Sequence, residues 1–476
     1  MRRLPFVFVL LLALTTGCLN SSNTPPSIDD AFPSPSAIET VPYSTLEFSI
    51  SASDAEDDVT YRWYVDDNLE GAGATFSYQF DREGTHVVRG VADDGTESVA
   101  SIWEVGVTID HDAIRETVAS VRSLDFTKDI PFKEITREEL TQNVNEDFER
   151  RADEIRLTQR ILHAFNVWDG SDLLLTLKSF YAGEAWGYYD SNEDAYYYVA
   201  DADTPAVVKM VTMAHELTHA LQDLHYGIPT LYEGASGDDE ALAIECLIEG
   251  DATYVEERYI ETLGIEERAA LYRYYASQEL PDYDPFISSI VLYPYSYGTR
   301  FVKSLVTDGG IGYLTEVYGE LPESTEQILH PEAYLADEGP VPLDITYDTT
   351  LEKMDEDTLG EGMLRLFLNQ HVPMAQARTA AEGWGGDVYA YYGSEEDYVL
   401  VYVSAWDTRH DAIEFFDTYS AAVEAWGGDY RELDRGENTL RATNDGRLVE
   451  MEISASKVTL VIRPDNVLYG QPPAGN

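Results

Sequence analysis

The segment 206–224 reads AVVKMVTMAHELTHALQDL, and it decides how the rest of the chain is interpreted. Its apolar residues recur every three or four positions, which predicts a helix with one buried face. Pro205 stands at the start of this pattern and Gly227 follows its end, as is typical of helix termini. Within the segment, His215 and His219 are four residues apart, so their imidazoles lie on the same face of the helix.

This pair of histidines predicts a metal site. Two imidazoles at positions i and i+4 of a helix can bind one zinc ion, at about 2.0–2.1 Å from each nitrogen. Glu216 points about 100° away around the helix, where it can act on a water molecule without binding the metal. We therefore predict His215 and His219 as ligands, Zn²⁺ as the cofactor and Glu216 as the general base. Asp223, four residues after His219, either orients that ring or lies on the helix surface.

A catalytic zinc also needs a third protein ligand and an open position. The segment 247–254 reads LIEGDATY and has a helical pattern. Two carboxylates compete for the role, Glu249 and Glu245, which are one helical turn apart on the same face. The residue pattern alone leaves both open.

A His-Glu-x-x-His helix followed by Glu-Gly-x-Ala resembles the gluzincin metallopeptidases. In that clan the Glu of the Glu-Gly pair is the third zinc ligand, which implies Glu249. Aminopeptidase-type gluzincins also carry Pro-Tyr-x-x-Gly, and residues 294–298 read PYSYG. The resemblance implies that Tyr295 stabilises the oxyanion. Their Gly-x-Met-Glu-Asn segment is missing, since residues 196–200 read YYYVA. Endopeptidase and exopeptidase activity therefore both stay open.

The charge of the chain limits its partners and its environment. Asp and Glu total 88 against 31 Lys and Arg, a formal net charge of −57 in 476 residues. This excludes nucleic acid as a partner, because binding a phosphate backbone requires basic contacts. Such self-repulsion is relieved in molar salt, where the screening length falls to about 3 Å. We expect a protein of a halophilic archaeon.

The N-terminus predicts export and a lipid anchor. Residues 1–17 combine Arg2 and Arg3 with a short apolar run, which indicates a signal peptide too short to span a bilayer as a helix. Cys18 follows Gly17, a pattern that resembles a lipoprotein lipobox, and this implies a lipidated N-terminus that holds the protein on the membrane outside the cell. Cleavage and plain secretion is the alternative.

The remaining sequence divides into regions of different pattern. Residues 18–37 are rich in Ser, Asn and Pro and predict a linker. Short alternating segments at 46–52, 60–65, 74–80, 86–91 and 100–108 predict an all-β sandwich over 38–109. The stretch 54–66, DAEDDVTYRWYVD, resembles PKD/Ig-like domains of surface proteins. Residues 110–340 predict an α+β, mostly helical, zincin-like domain, and 341–476 an α+β C-terminal region. The repeated WGGD at 384–387 and 426–429 predicts glycine-capped turns after helices.

These patterns together predict a multidomain, extracytoplasmic zinc metallopeptidase acting on peptides or proteins. Its metal ligands would be His215, His219 and Glu249, with Glu216 and Tyr295 as catalytic residues. The alternative is a non-catalytic surface scaffold or adhesion protein that retains a structural or relic metal site. Retention of Glu216 favours the enzyme, because a structural site needs no base.

Overall fold

The computed structural model describes residues 23–465, except 56, 169–170, 185, 200, 202 and 279–282. The chain divides into two compact units, the first ending at Ile109 and the second beginning at Asp110. The predicted signal peptide, 1–17, and the predicted lipidation site, Cys18, lie outside the described residues. Across the described part, no helix combines the length and the apolar composition needed to cross a bilayer.

The first unit is all-β. Its strands are β1 (Ser27–Phe32), β2 (Ala37–Thr40), β3 (Thr45–Ser53), β4 (Thr60–Val65), β5 (Asn68–Ala72), β6 (Thr75–Gln79), β7 (Gly84–Asp93) and β8 (Ser98–Val107). One sheet has the order β1-β3-β6 and the other β2-β8-β7-β4-β5. Their inward side chains share a core around Phe48, Trp63 and Trp103. The two tryptophans are fully buried because alternate residues of β4 and β8 point to the same face.

The prediction of a linker over 18–37 is wrong for residues 27–32. Residues Ser27–Phe32 form β1, which pairs with β3 along the sheet. The composition of this segment suggested a spacer, and its weak alternation hid the strand. The pairing partner lies about twenty residues further on, so backbone hydrogen bonds rather than local pattern decide this element.

The second unit begins with helices and a small sheet. Its elements to residue 335 are α1 (His111–Arg122), β9 (Phe132–Ile135), α2 (Arg137–Arg150), α3 (Ala152–Ala164), α4 (Leu173–Glu184), β10 (Gly187–Asp190), β11 (Ala195–Val199), α5 (Ala206–Tyr226), α6 (Ile228–Leu231), α7 (Asp238–Thr262), α8 (Ile265–Ser277), α9 (Pro285–Val291), the π-helical turn Pro294–Gly298, α10 (Thr299–Gly309), α11 (Leu314–Val317), α12 (Thr325–Leu329) and α13 (Pro331–Leu335). The sheet has the order β10-β11-β9, so β10 is an edge strand.

The C-terminal part adds an antiparallel sheet. Its elements are β12 (Lys353–Asp357), α14 (Gly360–Asn369), α15 (Met374–Ala381), β13 (Trp384–Gly393), β14 (Tyr398–Trp406), α16 (Arg409–Ala425), β15 (Arg431–Arg435), β16 (Thr439–Asn444), β17 (Arg447–Ser454) and β18 (Lys457–Pro464). The strand order is β12-β13-β14-β18-β17-β16-β15. An all-β N-terminal unit, a helical middle and a C-terminal β-sheet region confirm the broad architecture expected from the sequence.

Residues 110–340 and 341–465, where the structure describes them, share one hydrophobic core. That core runs from Ile155 in α3 through Leu247 in α7 to Phe367 in α14 and Ile462 in β18. Phe165, for example, packs edge-on against Phe367 at 5.3 Å between ring centroids. The two regions therefore fold as one compact unit.

The first WGGD segment is not a turn after a helix. Residues 384–387 begin β13, with Trp384 fully buried. Asp387 accepts hydrogen bonds from the backbone N–H groups of Leu359 at 2.8 Å and Gly360 at 3.1 Å. Its carboxylate therefore caps the start of α14, a long-range contact that the local Gly-Gly pattern could not indicate.

Candidate metal centre

Two neighbouring helices carry the predicted ligands. α5 begins directly after Pro205 and ends at Gly227, which adopts a φ of 69° and donates its N–H to the carbonyl of Asp223. This left-handed conformation favours glycine, which explains the sharp end of the helix. α5 packs against α7, and their contact brings the side chains of His215 and Glu249 to one place.

His215, His219 and Glu249 form a compact triad. His215 Nε2 lies 3.2 Å from His219 Nε2 and 3.2 Å from Glu249 Oε2. His219 Nε2 lies 3.5 Å from Glu249 Oε2. Tetrahedral ligands at about 2.0–2.1 Å from a zinc ion are about 3.3 Å from one another. The three atoms therefore have the spacing of three corners of such a site. Two imidazole nitrogens and a carboxylate oxygen are also ligands that zinc accepts.

Hydrogen bonds on the outer side of each ring determine where the imidazole protons lie. His215 Nδ1 is 3.1 Å from Glu256 Oε2, and His219 Nδ1 is 2.8 Å from Gln222 Oε1. Carboxylate and amide oxygens only accept hydrogen bonds, so each Nδ1 carries a proton and donates it. In a neutral imidazole the lone pair is then on Nε2, facing the triad. Both rings are thus oriented to bind a metal ion.

The electrostatics of the triad favour a cation. Burial by itself raises the pKa of the Glu249 carboxyl, but the neighbouring imidazoles of His219 and His215 outweigh it and hold that pKa well below its usual range. Burial lowers the pKa of His215, yet Glu249 and Glu256 raise it overall. The pKa of His219 is raised in the same way, with Glu249 overcoming burial. Protons and metal ions therefore compete for this site.

Glu216 lies beside the triad. Its Oε2 accepts a hydrogen bond of 2.9 Å from the backbone N–H of Tyr189 in the edge strand β10. This contact holds the Glu216 carboxylate against β10, the strand that packs on α5. The described residues provide no second hydrogen-bond donor to this carboxylate, so its other oxygen stays available to exchange a proton.

The phenol of Tyr295 belongs to the same site. Its ring centroid lies 6.1 Å from that of His215, with 26° between the ring planes. Tyr295 as a whole is 38% exposed. Burial of its phenol raises the pKa of Tyr295, and the negative charges of Glu249 and Glu216 raise it further. The phenol therefore stays protonated at neutral pH and can donate a hydrogen bond to a developing negative charge.

Two glycines let the turn that carries Tyr295 touch α7. A Cβ on Gly298 would lie 1.9 Å from the carbonyl oxygen of Cys246. A Cβ on Gly250 would lie 2.3 Å from the carbonyl carbon of Gly298. No real side-chain carbon fits at such distances, so the backbones of Pro294–Gly298 and α7 are in direct contact. This explains physically why both sequence motifs contain a glycine.

Glu245 lies outside the triad. It is one turn before Glu249 on α7, and burial together with the negative charge of Glu249 raises its pKa to about 7, while Arg151 opposes the rise. Glu249, and not Glu245, is the carboxylate that meets both histidines.

Asp223 does not contact His219. Its carboxylate accepts hydrogen bonds from Tyr189 Oη at 3.0 Å and from the backbone N–H of Ile228 at 2.9 Å. It therefore joins α5 to β10 and to the start of α6. The neighbouring residue Gln222 is the partner of His219.

Two residues not expected from the sequence orient the histidines, Gln222 and Glu256. Gln222 stands three positions after His219, a spacing that places two side chains side by side on a helix. Glu256 stands seven positions after Glu249, about two helical turns, on the same face of α7. The first signal was local, whereas the second depends on the length of α7 and on its packing against α5.

Comparison with known proteins identifies a domain but no activity. Residues 348–468 match a domain of unknown function, DUF8575. The match covers β12 to β18 of the C-terminal sheet and does not include the triad. No curated protein matches the chain.

Likeness to solved structures is limited. A quinonprotein alcohol dehydrogenase-like protein from Bacteroides thetaiotaomicron is 21% identical over 18% of this chain and 20% of its own, with a TM-score of 0.16. Fibronectin(III)-like modules of Clostridium thermocellum CbhA are 16% identical over 18% of this chain and 47% of theirs, also with a TM-score of 0.16. This chain thus spans less than half of either structure, and neither assigns it a fold or an activity.

Proposed function

We propose that this protein is a gluzincin-like zinc metallopeptidase that hydrolyses amide bonds of peptides or proteins. The observation that carries the proposal is the spacing of the triad: 3.2, 3.2 and 3.5 Å between the metal-facing atoms of His215, His219 and Glu249. Zinc bound there supplies Lewis acidity at the scissile carbonyl. The chain supplies the ligands, the base and an oxyanion donor.

Glu216 is proposed to act first as the general base and then as the general acid. Its carboxylate takes a proton from the attacking water molecule and returns it to the leaving nitrogen, which balances the hydrolysis without a further acid. The hydrogen bond from the Tyr189 N–H holds the carboxylate in place.

Tyr295 is proposed to stabilise the tetrahedral intermediate. Its protonated phenol is close to the His215 ring, and it is partly open to solvent, so a substrate carbonyl can reach it. A donor directed at an oxyanion in a partly desolvated site is worth more than the same hydrogen bond in water.

The test is metal analysis combined with a peptide-library assay in molar KCl, comparing wild type with Glu216→Gln. The wild type should bind about one zinc per chain and cleave peptides. Glu216→Gln should retain zinc and fold, because the residue is not a ligand. Its rate should fall by at least about 10²–10⁴, the usual contribution of general acid–base catalysis.

Two outcomes would contradict the proposal. A wild type that cannot bind zinc stoichiometrically would exclude the metal site. A zinc-loaded wild type that cleaves nothing across the library would favour the alternative, a surface scaffold with a structural metal. Glu216 would then be only a carboxylate held by the edge strand.

We also propose where the protein acts. The leader 1–17 and Cys18 support a lipid-anchored protein on the outer face of the membrane, with secretion as the alternative. The all-β unit, with its PKD-like segment 54–66, would serve as a spacer or adhesive module. The strongly acidic composition supports a halophilic, archaeal source.

A further inference from the structure

We propose that Gln222 is a positioning residue that joins the two ligand-bearing helices and holds His219 in its metal-binding form. This inference rests on the proposed zinc site. It concerns a side chain that does not touch the metal position but contacts a ligand from α5 and the backbone of α7.

The Gln222 side chain is fully buried and uses both ends of its amide. Its Oε1 accepts the hydrogen bond from His219 Nδ1 at 2.8 Å. Its Nε2 donates to the carbonyl of Ile248 at 2.9 Å and to Asp251 Oδ2 at 3.3 Å. Ile248 and Asp251 flank Glu249 in the sequence of α7. One amide thus connects the second histidine ligand to the backbone beside the carboxylate ligand.

The surroundings of Gln222 allow only one orientation of its amide. If the amide were reversed, its oxygen would face the carbonyl of Ile248 and the carboxylate of Asp251, which are both acceptors. Its NH₂ group would then face His219 Nδ1 and compete with the proton there. A buried acceptor–acceptor contact is unfavourable because it leaves both groups without a donor. The observed orientation therefore forces His219 to carry its proton on Nδ1.

A buried ion pair holds Asp251 in place for this task. Arg122 Nε donates to Asp251 Oδ2 at 2.9 Å, and both side chains are fully buried. Tyr318 Oη donates to the same oxygen at 3.1 Å. Three donors, from Arg122, Tyr318 and Gln222, converge on this oxygen and hold it in place as the acceptor for the Gln222 amide. The chain of contacts extends from α1 through α7 to the His219 ring.

The proposal predicts a specific loss in Gln222→Leu. This variant keeps the volume but removes the acceptor for His219 and the donor to α7. Zinc affinity, measured by competition with a chelator, should fall about 10–100-fold, as is usual when the partner of a metal-bound histidine is lost. The visible spectrum of the Co²⁺-loaded protein should change as well, because the His219 ring is free to rotate.

Gln327→Leu is the matched control. Gln327 is also buried in the second unit, 3% exposed, and its Nε2 donates to the backbone carbonyl of Glu338 at 2.9 Å. It belongs to α12 and is not among the contacts of the triad. The variant should lose stability without changing zinc affinity or the Co²⁺ spectrum. Gln222→Met, which retains the chain length, carries the same expectation as Gln222→Leu and serves if that variant folds poorly by circular dichroism.

The outcomes separate this inference from the proposed function. If wild type binds zinc and the Gln222 variants match Gln327→Leu in affinity and spectrum, the positioning role is wrong and the metal site stands. If wild type binds no zinc, both fall. A selective loss in the Gln222 variants supports the inference even when no peptide is cleaved, because neither readout requires activity.

Discussion

At the scale of single residues, the site combines groups that differ in what their removal should do. Glu249 is a ligand, Glu216 is a base, and Glu245 is a neighbouring acid outside the triad. All three are glutamates on the packed helices α5 and α7, so charge alone does not distinguish them. The contacts of each glutamate distinguish them, so replacing each one should change a different property of the site.

Replacement of Glu249 should weaken metal binding before anything else. Glu249→Gln exchanges a charged oxygen ligand for a poor neutral one. Loss of a residue that only hydrogen-bonds a metal ligand lowers metal affinity about 10–100-fold, and loss of the ligand itself should lower zinc affinity by more than that. Glu245→Gln is the control one turn away on α7, and it should retain zinc. Isothermal titration of metal-free protein with zinc measures both. A reversed pattern, with loss only in Glu245→Gln, would reassign the third ligand.

Glu326 is a buried carboxylate, 8% exposed. Burial raises the pKa of its carboxyl to about 8, with further contributions from Glu361, Asp407, Glu338 and Asp239. Because the folded-state pKa exceeds the unfolded value, this group favours folding below the unfolded pKa. That contribution is lost as pH rises from about 4.5 to about 8.

Glu326→Gln should therefore become more stable relative to wild type as pH increases. The difference in melting temperature between variant and wild type should grow from pH 5 to pH 9, by about 2–4 °C for each kcal/mol involved. Glu332→Gln, at a side chain that is 80% exposed, removes the same charge from the surface and is the control. A melting-temperature difference independent of pH, or equal to that of the control, would contradict the burial argument.

At the scale of elements, the site depends on the direct contact between α7 and the turn Pro294–Gly298. Gly298 and Gly250 permit this contact, and it brings Tyr295 towards the triad. A side chain added at either glycine would clash with backbone atoms, and rotation of a side chain could not relieve that clash.

Gly298→Ala should separate these two elements. The added Cβ would lie 1.9 Å from the Cys246 carbonyl oxygen, so the turn must move. We expect a destabilisation of about 1–3 kcal/mol, measured by thermal melting, together with a loss of peptidase activity that exceeds the loss of zinc. Gly312→Ala is the control, because a Cβ there meets no atom within 4 Å. Equal melting temperatures for the two variants would mean that the backbone contact is not maintained in solution.

At the scale of the whole molecule, net charge dominates. A formal charge of −57 is distributed over both compact units rather than collected in a tail. Repulsion among these carboxylates opposes the compact state and is weakened by salt. The buried core of the second unit, which spans α3 to β18, must overcome that repulsion.

Folding should therefore require salt. Circular dichroism in a titration from molar to millimolar KCl should show loss of structure as the screening length increases from about 3 Å to about 30 Å. Sucrose at equal osmolality is the control, because it favours burial without screening charge. A fold retained at low salt would show that the acidic surface has another origin.

The local sequence determined α5 and the pair of histidines on it, because helical periodicity and i, i+4 spacing act over short distances. Alternation likewise determined the strands around Trp63 and Trp103. The Glu-Gly pair indicated Glu249 only through resemblance, since no local rule gives its distance from His215. Zinc and catalysis remain predictions.

Tertiary structure decided what depends on distant partners. Ser27–Phe32 is a strand because β3 pairs with it, and Trp384 starts a strand because β14 pairs with β13. Glu256 became a partner of His215 only when α7 packed against α5. A hydrogen bond between residues far apart in the chain leaves no periodic pattern in the sequence, because its energy is realised only after the elements have packed.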